Sequence, residues 1–214
     1  LMLDAVQNSL FVSLTAGIIA TVIGTMIALS LARGMYPGKK LIDGLLFVPL
    51  VIPEITQGVS LAMFFMIAFA FINDIFGTRA NYGFETIIIG HVAFNISYVA
   101  IVVRARLAHM NPRLEEAAYD LGANGWRTFW YITFPQILPV IIAGGLLAFT
   151  LSLDDYVVTF FNNGIGTTTL PIFVYGMLKT SVTPEINALS TLMLVASSLL
   201  VVISLTLQSR YARR

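Results

Sequence analysis

The sequence predicts an all-α integral membrane protein, and its composition and apolar runs carry that prediction. Among its 214 residues, 57% are apolar and 11% are charged, and the mean hydropathy is +0.86. Soluble globular domains are about 25% charged, so this chain carries roughly half the usual charge. Five apolar runs are each close to the ~20 residues that a helix needs to cross the hydrocarbon layer. These observations exclude a soluble domain.

The charge balance and the absence of cysteine remove several classes of function. The 12 Lys and Arg residues nearly balance the 11 Asp and Glu residues, which gives a net charge of +1. Such a chain has no long basic stripe, so no nucleic-acid partner is expected. Because the sequence has no Cys, it offers no disulfide framework, thiolate nucleophile or Cys-based metal site. No metal site is expected.

The first predicted span is Leu10–Ala32, which ends at Arg33 and a turn signal at residues 34–38. Small residues recur at every fourth position on one face of this span, and such residues let a neighbouring helix approach closely. They are Ala20, Gly24 and Ala28. We interpret this stripe as a helix-packing face.

The second predicted span runs from about Leu45 to Asn73 and carries one charged residue, Glu54. Pro53 stands next to this acid and Pro49 lies one turn earlier. Proline kinks or breaks a helix because it lacks a backbone N–H. The run is therefore either one kinked helix or a short helix followed by a longer one.

Three more spans complete the predicted set of five. They are Thr86–Val103, Gln136–Phe161 and Ile186–Ser209. The first of these is about as short as a span can be, and the second is free of charge until Asp154 and Asp155. The pattern predicts a single transmembrane domain over residues 1–214.

The basic residues predict the orientation, because Lys and Arg accumulate in cytoplasmic loops. Ten of them lie on one side of the predicted spans: Arg33, Lys39, Lys40, Arg104, Arg106, Arg113, Arg127, Arg210, Arg213 and Arg214. The other side has only Arg79 and Lys179. We therefore expect the first side and the C-terminus to be cytoplasmic. The chain then begins outside, just before a span, so we also expect an earlier membrane helix to precede it.

The connection between the third and fourth spans, residues 104–135, is longer than two packed helices need. Asn111 is a good N-cap and Pro112 suits the first helical position, and Gly122 ends this predicted short helix. One apolar face has helical spacing and consists of Leu114, Ala117, Ala118 and Leu121. Composition alone equally allows an amphipathic helix that rests on membrane lipid.

The spacing within this connection resembles the EAA loop of ABC-transporter permease subunits. Glu116 begins the Glu-Ala-Ala triplet, and Gly122, Ile132 and Pro135 follow at the spacing of that motif. In the family, this loop is a coupling helix that docks in a groove of a cytoplasmic ATPase. The resemblance implies that these four residues and the apolar face contact the ATPase. It also implies no catalytic residue or cofactor on this chain, with ATP and Mg on a partner ATPase dimer.

A longer resemblance connects the chain with PotC-type subunits of spermidine/putrescine importers. It covers residues 114–161 and Thr183–Leu189 before the last span. These subunits usually have six spans in the type I ABC importer permease fold, of which five spans are visible here. The resemblance implies a polyamine importer of the bacterial inner membrane. Its further partners are a second homologous permease chain and an extracytoplasmic polyamine-binding protein.

Three acids lie within the predicted spans, where an ionisable group is costly unless it is paired or hydrated. They are Glu54, Asp154 and Asp155. At about 1.5 Å of rise per residue, Glu54 lies roughly 20 Å from Leu41, near the point where its span starts. Asp154 lies roughly 27 Å from Gln136 by the same count, so both acids are expected in the outer half. Because successive helical residues point about 100° apart, we expect one aspartate in the substrate pathway and the other bonded to a neighbouring helix.

The predicted substrate pathway also includes Ser152 and Tyr156, since an aromatic ring can face an amine through a cation–π contact. No Lys or Arg lies within the predicted spans, which argues against an anionic substrate. The acids could instead be hydrogen-bonded inside the protein. His91, inside the third span, is interpreted as a hydrogen-bonded packing residue rather than a ligand.

Other mechanisms fit the sequence less well. Residues 34–40 have one spacer too few for a phosphate-binding P-loop, so no ATP hydrolysis is expected on this chain. Adjacent aspartates cannot oppose each other as a protease dyad must, and there is no HExxH or GxSxG motif. An ion-coupled transporter and an ABC permease for another cationic or neutral solute are the alternatives. The EAA-like loop favours the ATP-driven machine over the ion-coupled one.

Overall fold

The computed structural model describes residues 1–179 and 184–212, and every regular element in this part of the chain is helical. The helices are α1 (Met2–Arg33), α2 (Lys39–Val51), α3 (Glu54–Phe76), α4 (Phe84–Ala108), α5 (Arg113–Asp120), α6 (Gly125–Thr128), α7 (Phe134–Asp154), α8 (Val157–Asn162), α9 (Leu170–Leu178) and α10 (Pro184–Ala212). A π-helical turn, Phe129–Thr133, joins α6 to α7. Thr183, Arg213 and Arg214 lie outside the described residues.

Five stretches of the described chain are long and apolar enough to cross a membrane, which confirms the predicted number of spans. They are Met2–Arg33, Glu54–Phe76, Phe84–Ala108, Gly125–Asp154 and Ile186–Gln208. In α3 and α10, only 6% of the residues in the apolar window are buried within the chain. These two helices therefore offer their side chains to lipid or to another transmembrane chain.

Helices α1, α4 and α7 form the core, and the small-residue stripe on α1 allows their close approach. The whole stripe is buried, as expected for a packing face. A Cβ atom on Gly24 would lie 2.8 Å from the Cβ of Val99 on α4. Buried aliphatic side chains extend this core between α4 and α7, among them Val103, Leu107 and Ile137.

The second predicted run is two helices rather than one kinked helix. The chain breaks at Ile52 and Pro53, because proline offers no N–H and restricts the residue before it. The Gln57 side chain closes the break, since its Nε2 donates to the carbonyl oxygens of Pro49 (2.6 Å) and Ile52 (2.9 Å). The count that placed Glu54 in the outer half assumed one continuous helix, so that count is wrong.

The fourth span begins and ends earlier than the sequence predicts. It is helical from Gly125 to Asp154, whereas the predicted span covers residues 136–161. Pro135 does not interrupt this helical span, because it occupies the first turn of α7, where proline is tolerated. At the other end, Asp155 has extended dihedral angles (φ −67°, ψ 126°) and separates α7 from α8. The two aspartates therefore do not follow each other on one continuous helix.

We expect that one added methyl group at Gly24 weakens the contact between α1 and α4. Gly24→Ala should lower the melting temperature of the detergent-purified protein, because overpacking a tight core costs ~1–3 kcal/mol. Gly44→Ala in α2 is the matched control, since nothing lies within 4 Å of its Cβ position. A melting temperature for Gly24→Ala equal to that of the control would show that this interface tolerates the extra volume.

Candidate functional site

The two helix breaks meet at one cavity of about 670 Å³. Its wall comes from α3 and the break before it, from α4, from the break between α7 and α8, and from α10. Four of the five residues in the predicted substrate pathway line it: Glu54, Asp154, Asp155 and Tyr156. None of the described residues in the wall is Lys or Arg. The cavity therefore concentrates acidic groups that the sequence places about a hundred residues apart.

Glu54 is the first residue of α3 and is exposed to the cavity. The helix break at Pro53 fixes this position, because the helix begins only after the proline. Among the described residues, no hydrogen-bond donor or cation pairs with the Glu54 carboxylate. Its negative charge is therefore available to a ligand.

Asp154 is the last residue of α7 and is likewise exposed. Its Oδ1 accepts one hydrogen bond, at 2.8 Å, from the hydroxyl of Ser197 on α10. No cation pairs with the carboxylate within the described chain. Asp154 therefore keeps a net charge facing the cavity while α10 holds its side chain in place.

Asp155 borders the same cavity as Asp154, but its carboxylate is bound by donors of the protein. Its side chain is only 6% exposed. One oxygen, Oδ2, accepts from the backbone N–H of Thr159 at 2.8 Å, and Oδ1 lies 3.3 Å from the N–H of Val158. The Thr159 hydroxyl lies 2.8 Å from Oδ2. The carboxylate thus caps the first turn of α8, as acids commonly do at helix N-termini.

His91 on α4 completes this buried cluster and is a hydrogen-bonded packing residue, as predicted. Its Nδ1 lies 2.5 Å from the Oγ of Ser152, and its Nε2 lies 2.9 Å from the Oγ1 of Thr159 and 3.2 Å from the Oδ2 of Asp155. Ser152 therefore contacts a histidine rather than the cavity. A single histidine in an apolar run was the available signal, but nothing in the sequence named its partners.

Tyr156 contributes an aromatic ring to the cavity wall. Tyr156 stacks with Phe160 at a centroid distance of 5.4 Å and lies 4.6 Å from the ring of Tyr175 on α9. A second cavity of about 510 Å³ shares Asp154 and Tyr156 with the first. The acid and the ring therefore stand where the two cavities meet.

The predicted coupling loop contains the expected short helix. Asn111 Oδ1 accepts from the N–H of Arg113 at 3.1 Å at its start. Gly122 ends it with a left-handed backbone (φ +82°), which a residue with a Cβ adopts only with strain. Of the four residues on its apolar face, Ala118 is buried, whereas Leu114, Ala117 and Leu121 are exposed. Most of that face is uncovered in this chain.

The remaining residues of the EAA-like pattern lie around this helix. Glu116 is exposed, Ile132 is half-buried in the π-helical turn, and Pro135 is exposed. The indoles of Trp126 and Trp130 meet edge to face at 5.7 Å on the same segment. The pattern is therefore split between an exposed helix and the start of the fourth span.

Glu115, an acid in the first turn of α5, holds the loop to the transmembrane core. Its Oε1 pairs with the guanidinium of Arg33 at the end of α1 and accepts from the hydroxyl of Thr133 in the π-helical turn. Arg33 Nη1 lies 3.4 Å from the same hydroxyl. The residue beside the predicted coupling acid is therefore the one that ties α5 to two other elements.

A second ion pair lies near the same end of the helices. Both guanidinium Nη atoms of Arg104 on α4 donate to the carboxylate of Asp43 on α2. This hydrogen bonding holds the pKa of the Asp43 carboxyl below its usual value. The pair fixes the short helix α2 against α4, and α2 leads to the break before Glu54.

Comparison with known proteins identifies the family. Residues 20–214 match the family described as binding-protein-dependent transport system inner membrane component. The chain is 42% identical to the putrescine transport system permease protein PotI of Escherichia coli over 98% of this chain and 73% of that protein. It is 36% identical to the spermidine/putrescine permease PotC of Haemophilus influenzae (95% and 75%). It is also 31% identical to the sulfate permease CysT of Escherichia coli (98% and 78%).

Solved structures agree on the fold. A bacterial ABC transporter for the acidic polysaccharide alginate aligns with a TM-score of 0.77 at 18% identity, over 97% of this chain and 79% of that one. The MetNI methionine ABC transporter aligns with a TM-score of 0.71 at 18% identity, over 100% and 95%. The fold is therefore that of type I ABC importer permeases, as the resemblance implied. The chain is a multi-pass inner-membrane protein, and it belongs to the family of binding-protein-dependent transport system inner membrane components.

Proposed function

We propose that this chain is one permease subunit of an ATP-driven importer that moves polyamines through the cavity between the two helix breaks. The observation that carries the proposal is the pair of unneutralised carboxylates, Glu54 and Asp154, in one wall without Lys or Arg. A polyamine carries several ammonium groups joined by flexible methylene chains. Two acids on different helices, in a wall that also contains apolar side chains, match that pattern, whereas sulfate, the substrate in the name of the relative CysT, would be repelled.

The chemistry of the cavity is that of attraction without tight capture. Each carboxylate can pair with one ammonium group, and the Tyr156 ring offers a cation–π contact beside Asp154. Both acids border open space, so water screens them and each contact stays weak. Several weak sites guide a polycation and still let it leave, which a translocation pathway requires.

The energy for transport comes, in this proposal, from ATP bound with Mg on a separate cytoplasmic ATPase dimer. The exposed face of α5 is the docking surface, since Leu121 is 89% exposed and Leu114 is 46% exposed. Large apolar side chains on a loop otherwise stay in water at a cost of roughly 25 cal/mol per Å². We expect the loop and the C-terminus on the cytoplasmic side, because basic residues accumulate around them.

Two further partners complete the proposed machine. A second permease chain closes the other side of the pathway, which fits the uncovered surfaces of α3 and α10. A polyamine-binding protein delivers cargo from outside, in keeping with the family description. One solved neighbour, an alginate ABC transporter, was crystallised in complex with a periplasmic protein that holds its pentasaccharide.

Removal of the charge at Asp154 tests the pathway. We expect Asp154→Asn to reduce uptake of labelled putrescine or spermidine by roughly tenfold or more, because a hydrogen bond to a charged group contributes about 1.5–3 kcal/mol. ATP hydrolysis by the assembled complex in vesicles should continue. Asp74→Asn, an exposed acid on α3 outside the cavity, serves as the control. Unchanged uptake by Asp154→Asn would remove this residue from the pathway.

A charge on the exposed face of α5 tests the docking surface. We expect Leu121→Glu to abolish most co-purification of the ATPase, because the acid would have to be buried without a partner. Met35→Glu is the matched control, since Met35 is 99% exposed and lies in the turn between α1 and α2, outside the loop. An intact complex with normal coupling in Leu121→Glu would place the ATPase contact elsewhere.

A further inference from the structure

We infer that His91 is a positioning residue for transport: it fixes the break between α7 and α8 so that Asp154, and not Asp155, faces the cargo. The inference rests on the proposed function and deepens it. His91 lies on α4, and its ring contacts residues on both sides of the break. Ser152 belongs to α7, whereas Asp155 and Thr159 belong to the break and to α8.

The hydrogen bonds define the state of the ring. We assign the ring proton from Asp155: its carboxylate can only accept, so the N–H faces it and Nδ1 accepts from the Ser152 hydroxyl at 2.5 Å. The ring proton is then on Nε2, which faces Thr159 Oγ1 at 2.9 Å and Asp155 Oδ2 at 3.2 Å. His91 therefore acts as an acceptor toward α7 and as a donor toward the break and α8.

These bonds complete the set of donors around Asp155. The carboxylate is surrounded by the Nε2–H of His91, two backbone N–H groups of α8 and the Thr159 hydroxyl. A carboxylate with this many donors has little affinity left for an ammonium group. Asp154 has a single donor within the described part of the chain, Ser197. His91 thus helps to decide which of two adjacent acids carries free charge into the cavity.

Direct contact with cargo does not explain His91. The residue is completely buried, with 0% relative exposure, and it is absent from the wall of the 670 Å³ cavity. Among the described residues, no group of His and acidic side chains could hold a metal ion. Any effect of His91 on transport must therefore pass through the residues it holds.

The bond pattern gives three informative variants. His91→Leu keeps bulk and removes all three polar contacts of the ring. His91→Gln keeps a donor that can reach Asp155 and Thr159. Ser204→Ala is the control, because it also removes a buried hydrogen bond to α7, from Ser204 Oγ to the Ala143 carbonyl at 2.8 Å, but about three turns from the break.

The measurement is polyamine uptake per ATP hydrolysed by the complete transporter in vesicles, at saturating loaded binding protein. We expect His91→Leu to lower this ratio about tenfold, as for the loss of one well-placed charged contact. His91→Gln should restore most of the ratio, and Ser204→Ala should leave it near the wild-type value. A wild-type ratio in His91→Leu, or no rescue by His91→Gln, would overturn the inference.

A double variant separates positioning from a general loss of stability. If His91 acts through Asp154, His91→Leu combined with Asp154→Asn should transport no worse than Asp154→Asn alone. Losses that multiply would contradict the inference. Normal uptake by Asp154→Asn would refute the proposed pathway itself, whereas normal uptake by His91→Leu beside an impaired Asp154→Asn would refute only the role of His91.

If His91→Leu does not assemble, Thr159→Val decides the question. Valine matches threonine in shape, and the backbone N–H that caps Asp155 remains. The variant removes only the hydroxyl between Nε2 and the carboxylate. We expect the uptake per ATP to fall about threefold at unchanged complex yield, less than for the full loss of a charged contact. An unchanged ratio would overturn the inference.

Discussion

The constraint on which this structure depends is that backbone polar groups inside a membrane must be satisfied by the protein itself. Two helices of the chain are nevertheless interrupted, before Glu54 and at Asp155. Each break has its own side-chain partner: Gln57 donates to the carbonyls left free by Pro53, and Asp155 accepts from the first N–H groups of α8. At both breaks, side chains of the same chain hydrogen-bond the free backbone groups, and the cavity lies where the two breaks come together.

The same constraint separates the roles of two identical side chains. Asp155 caps α8, so its carboxylate oxygens are occupied by hydrogen bonds from backbone N–H groups and from His91. Asp154, one residue earlier, ends α7, and its one partner among residues 1–179 and 184–212 is the Ser197 hydroxyl. The sequence predicted that the two aspartates point in different directions because successive helical residues do so. In the structure they differ because the backbone leaves the helix between them.

The sequence was sufficient for the number of spans, the small-residue face of α1 and the short helix before Gly122, because each depends on local composition or spacing. It was sufficient for the acids as candidates, because charge in an apolar run is costly. It could not supply the partners of His91 or the tie between Arg33 and Glu115, which join residues 61–82 positions apart. It also misplaced the ends of the fourth span, because hydropathy does not distinguish α7 from the apolar helix α8 after the break.

The continuity of the fourth span gives the coupling loop a direct mechanical connection to the cavity. A single helical path runs from Gly125 in the loop to Asp154, a length of roughly 45 Å at 1.5 Å per residue. Glu115 ties α5 to the start of that path through Thr133, and to α1 through Arg33. Helix α1 in turn packs against α4 without space for a methyl group at Gly24, so these two helices are in tight contact. In the proposed transporter, a displacement of the loop would therefore have two packed routes to the break between α7 and α8, one along α7 to Asp154 and one along α1 and α4 to His91.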